Sequence, residues 1–180
     1  MTQPYYQQKI FIPRVDEKDN FLGPIERWEA HEKGVLHRAF TIAVSYNNQI
    51  ICQHRKHPVF DGWFDLTASS HPMVVAEKAQ SNEEAVIHAL KREWGLEVDQ
   101  ITGMKNLGSV IHNTQDPNSK YIEHELCHFF ITETRVLPKI NFDIAYGYTL
   151  QTLKDLKSDT NPLFKSLAPW IKKAFELKLL

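Results

Sequence analysis

The chain of 180 residues has little cysteine: only Cys52 and Cys127, in no CxxC pair. The N-terminus, MTQPYYQQKI, lacks a basic segment followed by an apolar one, and together these features argue against a disulfide framework. No run approaches the roughly 20 apolar residues of a membrane span. Net charge is nearly absent too, at −1, so nothing draws the whole molecule to nucleic acid or to an anionic membrane surface. Any anionic ligand has to be held by local groups. Internal repeats, low-complexity tracts and Gly/Ser linkers are missing, and the length suits one domain. These absences predict a soluble cytoplasmic protein with one domain over 1–180, monomeric or homodimeric, without nucleic-acid or membrane partners.

What is present reads as strands alternating with helices. AFTIAVSYNNQIICQHR (39–55) sets two β-branched and aromatic runs around Asn47-Asn48, a pair that tolerates positive φ, and predicts a hairpin. The segment through Gly23-Pro24 is expected to be irregular, with a short strand at Lys9–Ile12. A strand is expected at Phe64–Ala68, broken by Ser69-Ser70-His71-Pro72, because proline disfavours the α region for the residue before it. SNEEAVIHALKREWGLEV carries the strongest helix signal. Ser81 or Asn82 caps it, Glu83 and Glu84 fall in its first turn and Gly95 stops it; Val86, Leu90 and Trp94 form its apolar face beside Ala85 and Ala89. Strands follow at Leu107–Ile111 and Tyr121–Thr132, across a polar loop at Asn113–Lys120, and at Tyr146–Thr149. A short helix at Leu150–Leu156 and a terminal helix opened by Pro169-Trp170 complete the chain. This order predicts an α/β or α+β chain with a mixed sheet.

The segment YIEHELCHFF (121–130) holds two acids among residues suited to a core. Strand side chains alternate with period 2, so Glu123 and Glu125 share a face. Two neighbouring half-buried carboxylates repel, and one is driven to protonate unless a cation neutralises them. A divalent metal is the simplest neutraliser; an edge strand with a solvated acidic face is the alternative. His31 and His37 bracket HEKGVLH before the first strong strand, and His71 ends ASSH. Imidazole with carboxylate suits zinc, manganese, iron and related ions, although spacing alone does not bring these five residues together. His54, His57, His112, His124 and His128 are read as ordinary surface or core histidines.

HEKGVLHRAF, DLTASSHP, EEAVIHALKREWGL, EHELC and APW, in that order between about Arg27 and Trp170, resemble the type 1 isopentenyl-diphosphate isomerases, a branch of the Nudix superfamily. The resemblance implies a Nudix α/β/α sandwich with a mixed sheet. It implies a metal site made of His31, His37, His71, Glu123 and Glu125, holding manganese, zinc or magnesium. A second ion, magnesium, would join a substrate diphosphate to Glu93, with basic contacts from Arg27, Arg55 and Lys56 and with His88 near the diphosphate. Such a ligand carries about three negative charges, which must be balanced before it leaves water for a closed pocket. The implied reaction protonates an alkene and removes a proton from the far side, which takes two acid–base groups facing each other across the substrate. Glu125 matches the catalytic glutamate. Trp170 matches an aromatic cap for a cation-like intermediate, where its position alone reads as core at a helix start.

Two positions depart from that pattern. Ser69 stands where the family has its catalytic cysteine, and a hydroxyl has a far higher pKa than a thiol's ~8.5. Ala89 stands where the family has a diphosphate-contacting arginine, with His88 beside it. The general Nudix hydrolase box is altered as well: His88-Ala89 replace its Arg-Glu and Arg92-Glu93 its Glu-Glu, leaving one acid. The readings, in order, are an isopentenyl-diphosphate isomerase-like enzyme with Glu125 and either the metal-bound water or Ser69 sharing the proton relay, a Nudix-type diphosphate hydrolase, and a catalytically silent diphosphate-binding or metal-binding protein.

Overall fold

The computed structural model describes residues 4–180; Met1–Gln3, part of the domain expected over 1–180, lie outside the described residues. In chain order the strands are β1 (Phe11–Val15), β2 (Phe21–Glu26), β3 (His37–Tyr46), β4 (Gln49–Arg55), β5 (Ala68–Ser70), β6 (Val74–Val75), β7 (Lys78–Ala79), β8 (Ile101–Gln115), β9 (Ile122–Thr134) and β10 (Ala145–Gln151). The helices are α1 (Arg27–Lys33), α2 (Asn82–Trp94), α3 (Leu153–Leu156) and α4 (Pro169–Glu176). Among the described residues no helix is long and apolar enough to cross a membrane.

Eight strands form one mixed sheet with β3 as its hub. β3 runs parallel to β9, with His37 beside Glu125 and Ile42 beside Phe130, and antiparallel to β1, β4 and β5. β8 pairs with β9, β10 with β4 and β2 with β1. The acidic strand β9 is therefore interior, which removes the edge-strand alternative. Asn47 and Asn48 both take positive φ, 50° and 61°, and turn the chain from β3 into β4 as expected.

Alternation along β3 and β9 builds two cores. Phe40, Ile42, Val44 and Phe130 point to one side and meet Val86, Ala89, Leu90 and Trp94 of α2. Ala39, Ala43, Cys127 and Phe129 point to the other and meet Trp170, Ile171 and Ala174 of α4. A helix on each face gives the expected α/β/α sandwich. α2 holds its predicted boundaries: Ser81 and Glu84 form a reciprocal capping box, and Gly95 closes the helix at φ 60°.

Several local expectations are corrected. The N-terminal segment is a paired hairpin, β1–β2, in which Pro13 faces Pro24. Proline is tolerated there because β2 is an outer strand and β1 meets β3 only at Arg14 and His37. β5 continues through Ser69 and Ser70, since β3 pairs with it across Phe40–Ile42, while Phe64 makes only isolated bridges. β8 is far longer than Leu107–Ile111; it follows β9 through two register shifts, and the loop shrinks to 116–121 around Asp116, which accepts from Phe60, Asn118 and Ser119. Leu150 belongs to β10, so α3 starts only after the Thr152 cap.

Candidate metal centre

α1 starts at Glu26, whose carboxylate accepts from the Glu29 amide, and ends at Gly34 in the left-handed region at φ 59°. Arg27 and His31, one turn apart on this helix, both point inward and are buried. His37 opens β3, His71 directly follows β5, and Glu123 and Glu125 stand on one face of β9. One potential ligand atom from each of His31, His37, His71, Glu123 and Glu125 lies within 4.8 Å of all the others.

The surroundings of the imidazoles set their tautomers. Nδ1 of His31 donates to the Arg27 carbonyl and Nδ1 of His37 to the Val35 carbonyl, each at 2.7 Å. Both rings then turn a bare Nε2 toward the carboxylates, the arrangement that backbone carbonyls impose on metal-binding histidines. Nε2 of His31 and Oε2 of Glu123 are buried without hydrogen-bond partners although they stand 3.3 Å apart. His37 Nε2 and His71 Nε2 approach to 3.2 Å. Lone pairs pressed together in a dry space fit a divalent ion with nitrogen and oxygen ligands.

Electrostatics separates the two acids. Burial pushes the Glu123 carboxyl above its ordinary range, and the adjacent Glu125 charge pushes the same way. Burial also opposes the charge on Glu125, yet hydrogen bonds from His112 and His71, with the His37 ring 3.6 Å away, hold it well below the usual carboxylate range. Burial drives His71 down to about 3.

An enclosed cavity adjoins the cluster, lined by Arg55, His57, Ser69, Ser70, His71, Glu123, Glu125 and Trp170. The indole N–H of Trp170 is shared between Asp65 Oδ1 and Ser69 Oγ, both at 3.2 Å. The Ser69 hydroxyl also lies 2.7 Å from that of Thr41. Arg55 is buried, donates to Asp65 at 2.6 Å and stacks 5.0 Å from the Trp170 ring. His112 Nε2 donates to Glu125 Oε2 at 3.1 Å, and its ring stacks on Trp170 at 5.7 Å and 26°.

Comparison with known proteins sets this site in a family. No family model matches the chain. Isopentenyl-diphosphate Delta-isomerase 2 from Photorhabdus laumondii is 31% identical over 162 residues, covering 88% of this chain and 86% of the relative. The chain belongs to the isopentenyl-diphosphate Delta-isomerase family. A crystal structure of a Deinococcus radiodurans protein superposes with a TM-score of 0.69 at 15% identity, covering 93% of this chain and 98% of that one. A MutT Nudix hydrolase from Burkholderia pseudomallei gives 0.50 at 18% identity, covering 78% and 96%. At such identities the two structures establish the Nudix fold alone.

In this member of the isopentenyl-diphosphate isomerase family, the expected site residues do not all meet. Ser69, Trp170 and Arg55 line one cavity with His71, Glu123 and Glu125, and His31 and His37 complete the cluster beside it. Glu93 is buried nearby on α2, outside the five-residue cluster, and accepts from Arg92 at 2.6 Å and Gln53 at 3.2 Å. Lys56 and His88 lie elsewhere. Lys56 follows Arg55, so alternation turns it outward, where Nζ donates to the Phe142 carbonyl. His88 sits one turn beyond Glu84 on the solvent face of α2 and bonds Gln80.

His112 and Asp65 carried no signal of their own in the sequence. Counting back through the 116–121 turn, which joins Gln115 to Ile122, puts His112 opposite Glu125 and is the one route by which it could have been found. Asp65, which orders Arg55 and Trp170, has no comparable local signature.

Proposed function

We propose that the chain is a divergent, metal-dependent isopentenyl-diphosphate isomerase that carries out a 1,3-allylic proton shift on a small prenyl diphosphate. The observation that carries this reading is the meeting of three imidazoles and two carboxylates around one point, beside a cavity lined by Trp170, in a chain of that family. When bound, a divalent ion would neutralise Glu123 and Glu125 and supply a fixed positive charge. His31, His37 and His71 would hold it. Glu125 faces the cavity as proton carrier, oriented by His112. Trp170 offers its ring to positive charge developing on the hydrocarbon. Ser69, tied to Thr41 and Trp170, occupies the place from which a second proton carrier would act. Glu93 would take a magnesium ion accompanying the diphosphate.

Hydrolysis of a diphosphate meets a specific obstacle. Glu93 is the buried acid of α2, while Glu83 and Glu84 are exposed and Glu84 is engaged in the helix cap. That leaves one inward carboxylate where hydrolysis by metal-activated water commonly draws on several.

Purified protein incubated with isopentenyl diphosphate and magnesium should yield an acid-labile allylic diphosphate. Release of phosphate or pyrophosphate instead would favour hydrolysis, and no product of either kind would defeat the enzymatic reading. The substitution S69C should raise isomerisation, because a thiol of pKa ~8.5 exchanges protons near neutral pH far more readily than a hydroxyl. Unchanged turnover in S69C would mean that position 69 takes no part in the proton relay.

A further inference from the structure

A buried charge without a counter-ion among the described residues lies on the N-terminal side of the cluster. Arg27 is 2% exposed. Its Nη2 donates to the carbonyls of Tyr5 and Gln8 at 3.1 and 3.3 Å, its Nε has no hydrogen-bond partner, and it forms no salt bridge among the described residues. Arg92, from the last turn of α2, reaches the same space. Its Nη2 donates to Glu93 at 2.6 Å and to Ser70 Oγ at 3.2 Å, and its Nε is also buried and unpartnered.

One ring joins the two arginines. The centre of Tyr5 is 4.8 Å from Cζ of Arg27 and 4.0 Å from Cζ of Arg92, which puts the guanidinium carbons no more than 8.8 Å apart. The Tyr5 hydroxyl lies 3.4 Å from Ser70 Oγ, and Ser70 lines the cavity that holds Glu125. A ring over a guanidinium covers its face and leaves free the edge, where the N–H donors lie. Arg55, close by, is already matched by Asp65 at 2.6 Å. Glu93 offsets one of the two remaining cations. The other, Arg27, is held by the Tyr5, Tyr6 and Trp28 rings and two backbone carbonyls, which supply no negative charge and leave its buried Nε–H without an acceptor among the described residues, a position suited to an anion.

We propose that Arg92 and Arg27 form a paired guanidinium clamp for the diphosphate of the ligand, roofed by the Tyr5 ring. This rests on the reading above that the ligand is a diphosphate, and it adds Arg92 as a binding residue. The helix itself explains the choice of position: Ala89 is fully buried in the α2 core, so the charge that α2 sends toward Ser70 and Tyr5 comes from Arg92, three residues on. A guanidinium fork matches two phosphate oxygens at once, which an ammonium does not.

The test is calorimetric, on the full chain in magnesium, with three probes: inorganic pyrophosphate, isopentenyl diphosphate and isopentenyl monophosphate. R92A is expected to weaken pyrophosphate and isopentenyl diphosphate roughly 10- to 100-fold, the loss of hydrogen bonds to a charged group. It should leave the monophosphate within a few-fold and the metal content unchanged. R92K should fall between R92A and the wild type. Undiminished pyrophosphate affinity in R92A overturns the clamp, and so does an equal loss for mono- and diphosphate, which would mark Arg92 as a mere support for Glu93. Should R92A fail to fold, R92K decides, and wild-type affinity there overturns the fork. A wild-type chain that binds neither diphosphate removes the functional reading and the clamp together. A chain that turns over isopentenyl diphosphate while R92A keeps full affinity loses the clamp alone.

Discussion

The parallel pair β3–β9 has two ends built from one backbone ladder and opposite chemistry. At the first, His37 lies beside Glu125. At the second, Ile42 lies beside Phe130 and Ala43 beside Ile131. Both ends are shielded from water, so burial alone does not distinguish them. An apolar side chain at the far end gains about 25 cal/mol for each Å² removed from water. The carboxylates and imidazoles at the near end lose hydration and recover it only through one another or through a cation. One end holds the fold together, and the other spends stability on a site.

The largest expected break in this comparison comes from Glu125. E125Q keeps the shape and removes the proton carrier, so isomerisation should fall by roughly 10²- to 10⁴-fold, while the thermal midpoint, measured alongside, stays near that of the wild type. Retention of activity within tenfold would show that Glu125 does not carry the proton. At the other end the pattern should invert. F130A empties a site that is 1% exposed and should cost about 3–5 kcal/mol in urea unfolding, with activity per folded molecule preserved. A large activity loss at full folding would mean that the two ends are not independent.

His112 sharpens the boundary. It is an imidazole at the near end that bonds Glu125 without belonging to the five-residue cluster. H112F keeps a ring against Trp170 but loses the donor, and kcat should drop by roughly 10-fold or more, at nearly constant KM. H112Q, which restores a donor, should recover much of it. Equal losses in both variants would point to packing on Trp170 as the whole role of His112.

Legibility in the sequence follows the same division. The apolar end of β3, the Asn47-Asn48 turn and α2 could be read directly, since local pattern and burial act in the same direction there. Glu123 and Glu125 were visible as an anomaly against that pattern. In the sequence Arg92 stood out only as a substitution in the Nudix box, and the tertiary fold turns it toward Tyr5 and Ser70. β1 was legible only in part, through the short strand expected at Lys9–Ile12, and β2 was hidden, because Pro13 and Pro24 argue against strands except at outer positions. Lys56 and His88 stand in motif segments, but the alternation after β4 and the solvent face of α2 carry them away from the cavity.

The smallest effect concerns pH and tests how dry the near end is. The His57 ring packs on Tyr6 and Trp28, with ring centres 4.6 and 6.3 Å away. Burial, reinforced by the Arg55 charge, holds its pKa well below the ordinary value. As pH falls through ~6.5, the unfolded chain binds a proton at this residue and the folded chain does not. The unfolded state then carries more protons, so stability is lost toward acid, with a slope of up to about 1.4 kcal/mol per pH unit for this one group. His71, held at about 3, adds a slope of the same sign, while Glu123, held above its ordinary range, takes up its proton earlier in the folded chain and opposes both. H57F removes one of the two contributions that weaken the fold toward acid. Urea midpoints at pH 7, 6 and 5 in the presence of chelator should therefore fall less steeply in H57F than in the wild type, and parallel curves would mean that His57 takes up its proton in the folded protein as freely as in water.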